Sequence, residues 1–133
     1  MTAKEVKAYL SRYRESLDRA KEVNAHLDEL KAEAVALKNH LGQKVALDDA
    51  VQKYVDACDD AGAYLDMLDN LRQEIRQAIE SVPNVRLRAL LREIYISGKS
   101  IVRIAADRGQ SYEHICRLHG AALLAACEVI RQT

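Results

Sequence analysis

Residues 99–124 read KSIVRIAADRGQSYEHICRLHGAALL, and the fold turns on how this stretch is understood. Ile101, Ile104 and Ala105 recur at helical spacing, and Gly109 follows at the offset where a chain turns sharply. Glycine is favoured there because it adopts positive φ without a Cβ penalty. Ser111 stands where it can cap a second helix that carries Ile115, Leu118, Ala122 and Leu123. A helix-turn-helix needs a small residue where its helices cross, and Ala105 fills that position. Ile115 and Leu118 would then pack on the first helix, leaving the opposite face free for a DNA major groove. By that spacing the base-facing side chains are Ser111, Tyr112, Glu113, Cys116 and Arg117, with His114 and His119 flanking. Arg108 and Gln110, around the glycine, depart from the apolar residues usual at those positions. A helical packing motif that binds protein stays open as an alternative.

Upstream, VRLRALLREIYI (85–96) predicts a helix with Leu87, Leu90, Leu91, Ile94 and Tyr95 inward. Gly98 ends it and Ser100 caps the next, over about 101–107. The last helix runs over about 112–130. Pro83 disfavours helix at Val82, and Asn84 is a good cap, so a boundary is placed here. This divides the chain into a segment 1–82 and a segment 84–133.

The first segment carries two long stripes. Val6, Leu10, Tyr13, Leu17, Ala20, Val23, Leu27, Leu30, Ala34, Leu37 and Leu41 alternate spacings of four and three, with one stammer at Ala20–Val23. A helix over 3–41 would be about 55 Å long at 1.5 Å per residue. Gly42 suits its C-terminal stop, and Asp48 can cap a second helix over 49–81. That helix would bury Val51, Tyr54, Val55, Cys58, Leu65, Leu68, Leu71, Ile75 and Ile79. A short connection between two long amphipathic helices favours an antiparallel hairpin. The expected fold class is therefore all-α: a long, coiled-coil-like antiparallel hairpin followed by a three-helix unit.

Composition agrees. The 133 residues include one Pro, five Gly, no Trp and no Phe, and 49% are apolar. Nothing approaches the roughly 20 apolar residues of a membrane span. The charged start (Lys4, Glu5, Lys7) is unlike a signal peptide. A cytoplasmic protein is expected. Cys58, Cys116 and Cys127 form no Cys-x-x-Cys pair and read as reduced thiols. The zero net charge hides an asymmetry: residues 1–83 hold 12 Lys/Arg against 16 Asp/Glu, and residues 84–133 hold 8 against 4. A basic segment that coincides with the motif suits phosphate neutralisation. Lys99, Arg103 and Arg108, with His119, are the candidate phosphate contacts, and Arg86, Arg88 and Arg92 lie on the preceding helix. No catalytic constellation, phosphate loop or metal-ligand spacing appears. His114 and His119 are five apart, off one stripe, and His26 and His40 are isolated. Asp48-Asp49 and Asp59-Asp60 read as caps and solvated faces. Neither an enzyme nor a cofactor is expected.

The segment SIVRIAADRGQSYEHICRLHGAAL, and more broadly residues 64–125, resembles a family of small phage- and prophage-borne proteins. These join a helical hairpin to a segment similar to region 4 of sigma-70 family factors. The resemblance rests on Ile104-Ala105, Gly109, Ser111, His114, Arg117-Leu118-His119-Gly120 and Ala122-Leu123. The layout is similar to that of ArpU- and RinA-type late-gene regulators. The resemblance implies that Glu113 matches a base-contacting glutamate and that Arg117 replaces a glutamine-type contact. Tyr112 and Cys116 stand where sigma region 4 has arginines, and Ala121 where it has a lysine over phosphate. The implied function is a transcription regulator of double-stranded DNA, with RNA polymerase as a further partner and dimerisation through the hairpin. Rival readings are a small-terminase-like DNA-packaging subunit and a module that binds only RNA polymerase.

Overall fold

A computed structural model describes residues 1–38 and 44–132, and every regular element among them is a helix. They are α1 (Ala3–Lys38), α2 (Lys44–Glu80), α3 (Val85–Tyr95), α4 (Ile101–Arg108) and α5 (Tyr112–Gln132). No helix among the described residues is long and apolar enough to cross a membrane. The fold is the expected all-α one, with two long helices before three shorter ones. The expected stop at Gly42, the stripe residue Leu41 and the isolated His40 lie outside the described residues.

The chain divides into two compact units. The first comprises Met1–Glu15 and Asn70–Thr133. The opening turns of α1 and the last turns of α2 here cover α3 and α5. Val6, Leu10, Leu71, Ile75, Ile79 and Val82 share one core with Leu91, Tyr95, Ala122, Leu123 and Ala126. A second cluster joins Leu90, Ile104, Ala105 and Ile115. Polar ties fix the elements: Tyr9 Oη donates to Glu74 Oε1 at 2.9 Å, and Arg92 donates to Glu80 Oε1 through Nε at 3.1 Å and Nη2 at 2.5 Å. Arg92 holds the Glu80 carboxyl below its usual pKa.

The boundary expected at Pro83 is corrected by this core. Pro83 and Asn84 do separate two helices, and Asn84 Oδ1 accepts from Arg86 N and Leu87 N. Yet the apolar packing runs straight across them. Helix α4 has eight residues and covers only one side of α3 and α5. Their remaining apolar faces need the hairpin's open end, so residues 84–133 do not form a self-contained core.

The second unit is Ser16–Asp69, two antiparallel stretches of α1 and α2. Tyr64 Oη donates to the Ser16 carbonyl at 2.7 Å. The α1 stripe falls where its spacing predicts: Ala20 is buried and Leu17, Val23, Leu27, Leu30, Ala34 and Leu37 are half-buried. The α2 stripe differs. Ala50, Ala61 and Leu68 are buried with Tyr54 and Ala57 half-buried, whereas the expected Val51, Val55 and Leu65 are exposed. Alanines let two helices approach closely, so the face richest in alanine turns inward rather than the face with the larger side chains. The start of α2 differs too. It begins at Lys44, so Asp48 lies inside the helix, past its first turn, and caps nothing.

Candidate nucleic-acid interface

The local chemistry of residues 98–115 sets the geometry of α4 and α5. Ser100 is extended (φ −75°, ψ 156°), and its Oγ accepts from Arg103 N at 3.1 Å. This satisfies one of the amide groups left open at a helix start. Helix α4 ends at Gly109, which is left-handed at φ 63°, ψ 32°. Gln110 N donates to the Ala105 carbonyl at 2.9 Å and Gly109 N to that of Ala106 at 3.3 Å. These are the two hydrogen bonds of a Schellman ending. Ser111 Oγ then accepts from His114 N at 3.1 Å and starts α5. Ala105 and Ile115 pack together beneath this turn with Ile104 and Leu90, and Leu118 lies against them.

That packing fixes which side of α5 faces out. Ser111, Tyr112, Glu113 and Arg117 are exposed, and His114 and Cys116 are half-buried. The same side continues through Gly120, Ala121 and Leu124, all exposed. Leu124, 62% exposed, was not singled out by its spacing. The result is a face with large side chains in its first two turns and small ones in its third. Arg117 has no ion-pair partner among the described residues. The Cys116 thiol beside Tyr112 raises the phenol above its usual pKa.

His119 is not on this face. It is buried, and its Nε2 shares a 2.7 Å hydrogen bond with Tyr95 Oη. Burial lowers the imidazole pKa, with a smaller contribution from the charge of Lys7, and burial pushes the Tyr95 phenol up to about 12. Both groups are therefore neutral near pH 7 and join α3 to α5. The expected phosphate contact at His119 is thus corrected: its position on α5 faces α3 and the core.

The other expected phosphate ligands are accessible but already paired. Lys99 Nζ and Arg103 Nε both lie 3.9 Å from Asp107 Oδ2. Arg108 Nη2 donates to Glu93 Oε2 at 3.0 Å, with both side chains about one third exposed. Arg92 is occupied by Glu80, and Arg88 Nη1 reaches the Glu80 carbonyl at 3.5 Å. Arg86 is exposed with no ion-pair partner among the described residues. Long, exposed pairs such as those to Asp107 are weak, so Lys99 and Arg103 can exchange them for an incoming anion. Arg108 is held more firmly.

No protein-family model, curated protein or solved structure matches the chain. Charge follows the compact units more sharply than the Pro83 division. The first unit holds 14 Lys/Arg against 8 Asp/Glu, net +6, and Ser16–Asp69 holds 6 against 12, net −6. The candidate face thus belongs to a strongly basic unit. Sequence patterning missed this partition because Lys4, Lys7, Arg12, Arg14, Arg72 and Arg76 join the basic unit only once the chain folds.

Proposed function

We infer that the chain is a double-stranded-DNA-binding transcription regulator of phage or prophage type, and that the α4–α5 pair works as a helix-turn-helix. The first two turns of α5 enter the major groove. The observation that carries this reading is an exposed, unpaired Arg117 beside Glu113 on a helix whose start is fixed by Gly109 and Ser111, within a unit of net charge +6. An arginine can bind guanine O6 and N7 bidentately, and a carboxylate can accept from cytosine N4. Ser111 and Tyr112 border the same groove. Lys99 and Arg103 neutralise phosphate after leaving Asp107, which positions α5 without specifying sequence. The hairpin serves as a protein-contacting arm, toward RNA polymerase or a second copy.

One observation favours a second reading, a module that binds only protein. Asp107 and Glu93 already neutralise three of the cations nearest the turn. The two readings separate in a titration of duplex DNA at 50–200 mM salt. DNA binding gives an affinity that falls steeply as salt rises, because each phosphate contact releases counterions. No binding, or a flat response, rejects the DNA reading. Selection from random duplexes then identifies the preferred site.

A further inference from the structure

The acidic unit leaves a second apolar line on α2. Val51, Val55 and Leu65 are 44%, 44% and 50% exposed, and Cys58 and Gly62 complete spacings of four, three, four and three. Those spacings keep all five residues on one side of a helix. It is not the side turned toward α1, which carries Ala50, Ala57, Ala61 and Leu68. Asp48 precedes Val51 by three residues, Asp59 follows Val55 by four, and Asp66 follows Gly62 by four. The ridge is therefore bordered along one flank by carboxylates. All three are exposed and have no ion-pair partner among the described residues.

We propose that this ridge docks an amphipathic helix of a partner protein whose apolar stripe is flanked by Lys or Arg. Charge decides the occupant. A second copy packing ridge to ridge would bring another unit of net charge −6, with its own Asp48, Asp59 and Asp66, against this one. A cationic flank instead meets three unpaired carboxylates while its apolar residues cover Val51, Val55 and Leu65. From residue 51 to 65 the ridge is about 21 Å long at 1.5 Å per residue, which matches a partner helix of about four turns. Such a helix presents anchors at i, i+4, i+7 and i+11, an apolar stripe of the kind by which two helices pack side by side. The inference does not depend on DNA binding by α5.

The test uses the full chain and two synthetic four-turn peptides. Both carry Leu at i, i+4, i+7 and i+11; one has Lys flanks and its twin has Glu flanks. Fluorescence anisotropy should show the Lys peptide binding at least tenfold more tightly than its twin. Leu65→Ser and Val55→Ser should each weaken it about tenfold at unchanged helix content and unchanged duplex-DNA affinity. Failure of the Lys peptide to bind, equal binding of both peptides, or binding indifferent to the two substitutions would overturn the proposal. So would a dimer in sedimentation that Leu65→Ser dissolves, since a second copy would then own the ridge.

Discussion

Arg117 and His119 lie two positions apart on α5 and have opposite fates. Arg117 points to solvent without an ion-pair partner, and His119 is buried against Tyr95. For Arg117→Ala we expect a loss of about 1–3 kcal/mol in binding to the selected site and a relaxed preference at one base pair. Band-shift titrations on single-base variants check this, and unchanged specificity would reject the groove role. His119 should show itself in stability instead. Its folded pKa is depressed, so the unfolded chain takes up a proton first as pH falls. Stability is then full above the unfolded value, about 6.5, and declines as pH drops through it. Urea unfolding at pH 7.5 and 5.5 should show that decline in the parent chain and much less of it in His119→Gln. Glu80 acts in a different window: its lowered pKa makes its contribution complete above the ordinary carboxylate range and lost only in more acidic solution.

At the scale of elements, two glycines predict opposite outcomes for the same substitution. Gly109 is left-handed, and a Cβ there would meet no atom within 4 Å, so Gly109→Ala is opposed by backbone strain alone. It should destabilise by about 1–2 kcal/mol. Gly120 is inside α5 and equally open, so Gly120→Ala should stabilise by about 1 kcal/mol. Thermal unfolding of the two variants checks both signs. If the third turn of α5 lies close to DNA, Gly120→Ala should also weaken binding while raising stability. Most element ends were legible in the sequence, because Asn84, Ser100, Gly109 and Ser111 act on amides and carbonyls within a few residues of themselves. The start of α2 was not. Asp48 has the chemistry of a cap, but Lys44, Ala46 and Leu47 are good helix formers and extend the helix on its N-terminal side.

For the whole molecule, the shared core makes a prediction that the Pro83 division would not. A fragment of residues 84–133 lacks Val6, Leu10, Leu71, Ile75, Ile79 and Val82, which cover α3 and α5. It should show no cooperative unfolding by circular dichroism, whereas the full chain should. A sharp transition in the fragment would reject the single core. The same partition predicts how binding depends on charge. On the proposed DNA reading, Lys99→Ala should weaken binding alike on every duplex and lower the salt slope by about one, because it would remove one phosphate contact.

The sequence by itself determined the helices apart from the start of α2, the turn at Gly109, and the exposed face of α5 apart from His119. Each depends on groups within one or two turns of each other, and periodicity records them directly. Arg117, Glu113, Tyr112 and Ser111 were therefore legible as one surface. Only the tertiary structure decided which face of α2 turns inward, where the apolar core ends and which cations stay unpaired. Those outcomes rest on pairings between residues far apart in the chain, such as Arg92 with Glu80 and Tyr95 with His119. The same distance explains the charge partition. Met1–Glu15 joins the basic unit because its apolar side chains pack against α2, α3 and α5, a contact that no local pattern encodes.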